Sequence, residues 1–322
     1  MALLGLLVLL QLRLFVCIFC LQHGLQARAV EHLPAPGCRC FNVSAADASE
    51  GPDRAGLVCE CAGWQKAAGS WSDAFAWASL RQACTDTPTA LLDLRLVDLP
   101  SGVDRPGRLP EAGCDWSRRL VNLSVTGGLT GLEAAGFAGL ARLRRLSLSR
   151  HARLTDYGEA VFAGLAGLVE LAAVGNPVRS LAKTTLRGLA GLEEVVFSAN
   201  RLGFLPAGVF AEACCAGLRR LRLDGNLLTV LEADLLTGLS RLEELDLRGN
   251  PIQRMDTGLF APCRDSLVRL RVSHDDRLAF GGFPRLADGL LRDLRRLRLL
   301  QLDELKLTHF GPDDLVGLVS LE

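Results

Sequence analysis

One phrase, written twice between Leu218 and Ile252, constrains this chain more than any other feature. Leu218, Leu221, Leu223, Asn226 and Leu228 are answered by Leu242, Leu245, Leu247, Asn250 and Ile252, a shift of 24 residues. Leu-x-x-Leu-x-Leu reads as a short strand, because alternate residues of a strand point to opposite faces. Leu245 and Leu247 then enter a core while Glu244 and Asp246 face away from it. The asparagine falls where the chain must turn inward, and a short amide can satisfy backbone groups that a turn leaves unpaired. Units repeated in one register stack strand on strand, so that each coil buries its leucines against its neighbours alone.

Coils in this register begin at Leu120, Leu143, Leu168, Leu192, Leu218, Leu242, Leu267 and Leu297, and a further one at Leu321. The successive differences are 23, 25, 24, 26, 24, 25, 30 and 24, which predicts repeats of about 24 residues over 120–322. Asn176, Asn200, Asn226 and Asn250 hold the turn position, and His151 takes it in its own coil. The return segments repeat as well. Phe137, Phe162, Phe210 and Phe260, with Leu186, Leu236, Leu291 and Leu315, form one predicted ridge; Leu140, Leu165, Leu189, Leu239, Leu294 and Leu318 form a second. Cys263 and Cys215 fit that second row as buried thiols in place of leucine. Their coils lie two strands, roughly 10 Å, apart, beyond the reach of a disulfide. Cys214 is then the candidate free or intermolecular thiol.

The chain opens on MALLGLLVLLQLRLFVCIFCLQHGLQARA, which reads as a secretory signal over 1–29. A retained membrane anchor would bury Arg13 at a cost of about 2.5–3.5 kcal/mol. Removing Cys17 and Cys20 leaves 9 of 11 cysteines. Six of these, Cys38, Cys40, Cys59, Cys61, Cys84 and Cys114, precede the regular coils and are disulfide candidates in a secreted chain. A zinc site would favour wider ligand spacing and a reducing compartment. All four tryptophans, Trp64, Trp71, Trp77 and Trp116, fall in the same region. Residues 30–119 are therefore expected to form an N-terminal cap. It includes a helix started by Ser72 and a first irregular coil at Leu91-x-x-Leu94-x-Leu96, whose loop is Pro100–Pro110. Asn42 and Asn122 head glycosylation sequons.

Residues 120–322 resemble the extracellular leucine-rich repeats with Phe-x-x-Leu-x-x-Leu linkers found in Toll and Toll-like receptor ectodomains, Slit and chaoptin-like proteins. The Cys-x-Cys pairs at 38–40 and 59–61 are similar to the N-terminal cap of that class, while Cys84, Cys114 and the Trp-rich insert depart from its compact form. The resemblance implies an α/β solenoid: a leucine-rich repeat horseshoe with a parallel concave β-sheet and a disulfide-bonded N-terminal cap. It also implies a binding role on the concave sheet, as a cell-surface receptor or adhesion ectodomain or as a secreted matrix or carrier protein, placed on the extracellular side.

Lysine plus arginine equals aspartate plus glutamate at 36 each, which argues against a nucleic-acid surface. Catalytic motifs such as Gly-x-Ser-x-Gly, a phosphate loop or His-Glu-x-x-His do not occur, so neither an enzyme nor a cofactor is expected. His274, Asp275 and Asp276 open a long coil insertion that reads as a solvated loop rather than a metal site. On the outward face, Glu170 and Glu194 are like charges on neighbouring strands beside the small apolar window Ala172, Val174 and Val196, with Ser198 following. An apolar patch flanked by incompletely neutralised acid is the expected seat for a basic or amphipathic protein or glycoconjugate partner. Alternating Glu194, Arg220, Glu244 and Arg269, and beside them Arg222, Asp246 and Arg271, are expected to pair across adjacent strands. The last coil begins at Leu321 and stops, so the chain is expected to be a fragment whose membrane attachment, if it has one, lies in a missing C-terminal segment. Its open edge makes a second copy of the chain a candidate partner.

Overall fold

The computed structural model describes residues 37–43, 56–62, 92–96 and 120–322, apart from 133, 135, 138, 211, 275–284, 310 and 312, all within the unit Pro36–Glu322. The signal over 1–29, the Ser72 helix, the Pro100–Pro110 loop, Cys84, Cys114, Asp275 and Asp276 lie outside the described residues.

Each Leu-x-Leu phrase becomes a strand because its alternate side chains bury on one side, the pattern seen in Arg145–Ser149, Glu170–Val174, Glu194–Val196 and Arg220–Arg222. In chain order the strands are β1 (Gly37–Val43), β2 (Gly56–Ala62), β3 (Leu92–Leu96), β4 (Leu120–Thr126), β5 (Arg145–Ser149), β6 (Asp156–Tyr157), β7 (Glu170–Val174), β8 (Ser180–Leu181), β9 (Glu194–Val196), β10 (Arg220–Arg222), β11 (Val230–Leu231), β12 (Glu244–Asp246), β13 (Arg254–Met255), β14 (Arg269–Ser273) and β15 (Leu299–Asp303). Eleven of them form one sheet in the order β1-β2-β3-β4-β5-β7-β9-β10-β12-β14-β15. The sheet is parallel except at its start, where β1 runs antiparallel to β2. β3 is the irregular coil anticipated at Leu91–Leu96, and its register against β4 shifts between Leu92 and Asp93.

On the far side of each coil the short pairs β6 with β8 and β11 with β13 make two-stranded parallel ladders. The rest of each return path is turn. Among the described residues the helices are α1 (Glu212–Cys215) and a single 3-10 turn at Ala261–Cys263. Glycines such as Gly139, Gly164, Gly188 and Gly238 take positive φ in these segments and fold the path too tightly for a longer helix.

The core is a column of leucines from Leu120 to Leu297, closed by the return-path ridge. Phe137 and Phe162 stack with ring centroids 5.8 Å apart. Tyr157 bridges the ridge to Phe197 in the coil that begins at Leu192, 6.0 Å from both Phe162 and Phe197. Cys215 and Cys263 are buried in the second ridge beside Leu189 and Leu239. Cys263 is a free thiol whose burial pushes its pKa up to about 12. Cys214 departs from expectation. It is joined to Cys215 by a disulfide between adjacent residues in α1, so it is not a free thiol. The neighbour that pairs with it is one position along the chain, a pairing that coil-to-coil spacing does not address.

The turn after each strand is built from two consecutive positions. The first takes a left-handed backbone: Gly127, Arg150, Gly175, Ala199, Gly225 and Gly249 have φ between 54° and 71°. A Cβ on Gly225 would stand 3.4 Å from the Ala199 backbone, tight against the coil before it. The second position carries the asparagine ladder. Asn176 accepts the backbone N–H of His151 at 2.8 Å, Asn200 that of Asn176 at 3.2 Å, Asn226 that of Leu202 at 3.1 Å, and Asn250 that of Leu228 at 3.1 Å. Their amide nitrogens donate to carbonyls at the ends of the strands, as Asn226 does to Phe197 and Leu223, both at 2.8 Å. Each asparagine thus ties one coil to the next through groups that would otherwise be buried without partners.

Candidate functional site

The solvent face of the sheet is formed by the residues that alternate with the buried leucines. Glu170 and Glu194 are in register on β7 and β9, as are Ala172 and Val196. The window Ala172, Val174 and Val196 is half-buried, with part of its apolar surface open to water.

The acid beside this window, expected to be incompletely neutralised, is paired on both strands, Glu194 with the Arg220 that alternation along the row sets beside it. Glu170 turns back to Arg145, with an Nε to Oε2 distance of 3.2 Å, and Glu194 turns forward to Arg220 at 2.7 Å. Each carboxylate has a basic strand on its outer side, so the two separate their charges by reaching in opposite directions. Ion pairs between adjacent strands offset the like-charge contact. The acidic window is therefore an apolar ledge between two ion pairs.

Further along, the ladder pairs partly across strands and partly within one. Glu244 receives Arg269 at 3.2 Å and Arg271 at 2.6 Å, both from β14. Burial would raise the Glu244 pKa, but the hydrogen bonds from Arg271 and Arg269 outweigh it and hold the carboxyl below its ordinary value. Asp246 was expected to pair across strands. Its oxygens are instead taken by Arg248 of its own coil, at 2.9 Å from Nε and 2.6 Å from Nη2, and Arg271 stays 3.9 Å away. Both acids lie on the solvent face yet are buried, because the arginines fold over them.

These side chains border a recess of about 790 Å³. Val174, Val196 and Ser198 make one wall; Arg222, Asp224, Glu244, Asp246, Arg248, Arg269 and Arg271 make the rest. Ser198 Oγ donates to Asp224 at 2.6 Å. Of the residues singled out in the sequence, Val174, Val196 and Ser198 line the recess, Ala172 and Glu194 adjoin it, and Glu170 lies one strand further out. The arginines of the recess were read in the sequence only as a self-neutralising ladder, since pairing within a strand is not visible in residue order. Chemically the recess offers an aliphatic shelf and a set of hydrogen-bond donors.

Asn42 lies in β1 opposite Leu57, and Asn122 lies in β4 between Asp93 and Arg145. The Asn122 Oδ1 is buried with no hydrogen-bond partner among the described residues. In the cap, backbone register sets Cys38 opposite Cys61 and Cys40 opposite Cys59. His151 is buried on the turn row. Its Nδ1 meets the carbonyl of Gly127, while its Nε2 has no partner among the described residues. His274 is also buried, and neither of its ring nitrogens has a partner there.

Parallel coils, the asparagine ladder and the leucine core define a leucine-rich repeat solenoid. In agreement, the family model of the leucine rich repeat matches residues 216–276. A leucine-rich repeat protein of Leptospira interrogans is similar over 71% of this chain and 52% of its own, with 22% identity and a TM-score of 0.54. Toll in its complex with Spatzle, from Drosophila, matches over 67% of this chain and 35% of its own, at 19% identity and a TM-score of 0.47. TLR13 in its complex with ssRNA13 matches over 76% and 48%, at 19% identity and 0.37. The chain thus spans about half the length of these structures or less. A search of curated proteins finds no match.

Proposed function

We propose that this protein is an extracellular leucine-rich repeat ectodomain that binds a protein or glycoconjugate partner on the solvent face of its sheet, as a cell-surface receptor or adhesion protein of the Toll-like class. The observation that carries the reading is the ledge of Ala172, Val174 and Val196, left half-open to water beside a recess of about 790 Å³. Apolar surface kept open among polar neighbours on a rigid scaffold is a common mark of a protein-binding site. The apolar leader over 1–29, the six cysteines before the regular coils and the sequons at Asn42 and Asn122 support a secretory route.

The test is the full chain and its Val196→Arg variant, both secreted from cultured cells and screened against purified extracellular proteins, glycans and the chain itself. We expect the variant to be secreted like the wild type and to lose the partner. A partner bound equally well by both proteins would remove the ledge from the interface.

A further inference from the structure

The arginines of the solvent face are not equivalent. Arg220 is committed to Glu194, Arg269 and Arg271 to Glu244, and Arg248 to Asp246, each at 3.2 Å or less. Arg222 differs from all of them. Its nearest carboxylate oxygen is Oε1 of Glu194 at 3.9 Å, and its side chain makes no hydrogen bond among the described residues, though only 41% of it is exposed. In register it stands between Val196 on β9 and Asp246 on β12. Asp246 is the partner that position would predict, but Arg248 has taken both of its oxygens. A guanidinium with its fork of donors unused, held beside an aliphatic wall, is prepared for a planar anion.

The surroundings limit which anion. Asp224 lies two residues on, held by Ser198 and with no arginine within salt-bridge distance among the described residues, and Glu194 and Glu244, in register with Arg220, stand diagonally to Arg222 on the adjacent strands. A polyanion laid across the recess would bring its further charges against these carboxylates, and such juxtaposition is repulsive. One negative group fits and a run of them does not. The other wall is aliphatic: Val196 is one strand from Arg222 and Ala172 two, at about 4.8 Å per strand. An extended peptide presents every second side chain to one face, about 6.6–6.8 Å apart, so a residue two along from one held at Arg222 falls over Val196 and Ala172.

The geometry points to Arg222 as the seat for a single carboxylate of an acidic protein segment, with an aliphatic residue two positions from that carboxylate resting on Val196 and Ala172. This rests on the partner-binding reading above and gives the partner an acidic group where the sequence suggested a basic or amphipathic one. The bidentate bond it invokes is among the stronger polar contacts available to a protein.

The probe is an array of short synthetic peptides carrying a central Glu with Leu, Ile, Val or Phe two positions to either side, each with a matched Gln control, together with heparin as a polyanion. The full secreted chain, Arg222→Gln, Arg222→Lys and Val196→Arg are measured against it. We expect Glu peptides to bind the wild type about tenfold or more tightly than their Gln controls. Arg222→Gln erases that difference and Arg222→Lys keeps part of it. The proposal is overturned if no Glu peptide binds, if Gln controls bind as well, if Arg222→Gln retains the preference, or if heparin displaces the peptides. If Val196→Arg abolishes peptide binding that shows no preference for Glu, the docking surface stands and the carboxylate seat alone fails. If Val196→Arg binds as the wild type does, the docking surface itself fails.

Discussion

The side-chain carbonyl of Asn226 accepts the backbone N–H of Leu202, one coil earlier, at 3.1 Å, while its amide nitrogen donates to Phe197 and Leu223 at 2.8 Å each. One buried residue thereby satisfies a donor and two acceptors belonging to two different coils. Asn250 repeats the arrangement toward Leu228, Leu223 and Leu247. The ladder is structural, and it keeps the solvent-face strands in a common register.

Asn226→Ala strands the Leu202 amide in a dry core and removes one of two donors from each carbonyl, Phe197 keeping Asn200 and Leu223 keeping Asn250. A buried donor stranded in this way costs about 1–3 kcal/mol, and a loss in that range is expected. Urea unfolding followed by circular dichroism reads it directly. A change below about 0.5 kcal/mol, the range of an ordinary surface substitution, would show that water or neighbouring groups replace the amide.

His151 holds the same ladder position with poorer chemistry. Burial lowers its pKa below 6.5, and backbone hydrogen bonds at Gly127 and Val125 offset this only in part. The unfolded chain therefore binds the proton first as pH falls. Stability should be unaffected by this group at neutral pH and should decline as pH drops below the unfolded value of about 6.5, until the folded imidazole also protonates. His151→Asn supplies an amide in place of a ring whose Nε2 has no partner among the described residues, and should flatten that part of the profile. Equal slopes for wild type and variant, between about pH 7.5 and pH 5.5, would place the titration elsewhere.

How much of this was legible in the residues follows from what each feature depends on. The strands, the leucine column and the asparagine row depend on period alone, so 24-residue spacing places Asn176, Asn200, Asn226 and Asn250 on one ladder. The window of Ala172, Val174 and Val196 follows from strand alternation in the same way. Charge pairing does not. Whether Glu194 meets Arg220 or faces Glu170 is a choice of side-chain rotamer, and Asp246 resolves a similar choice in favour of Arg248, which isolates Arg222. Tyr157 is the chain's single tyrosine and was passed over. Its hydroxyl accepts from Asn176 at 3.1 Å, linking ridge to ladder, and a lone aromatic hydroxyl in a leucine-rich return path was the available signal. The Cys214–Cys215 bond is a contact between adjacent residues, which no argument from coil spacing could rule in or out.

Glu244 provides the acid limb of the same pH profile. Its carboxyl is held below its ordinary 4.5: burial opposes ionisation, but the hydrogen bonds from Arg271 and Arg269 prevail. A carboxylate with a depressed folded pKa stabilises the protein at pH above the unfolded value and loses that contribution as pH falls through the folded one. Glu244→Gln keeps the shape and removes the charge. At neutral pH it should cost about 1–2 kcal/mol, a value kept low because Arg269 and Arg271 remain partly in water. Lowering the pH below about 4.5 protonates Glu244 in the wild type too, so the gap between the two proteins should close as the pH drops. Denaturant midpoints at neutral pH and at successive steps down to about pH 3 supply the comparison. A gap that is constant with pH would mean that the substitution costs packing rather than charge, and the two arginines would then owe their positions to Asp246 and the β14 backbone instead.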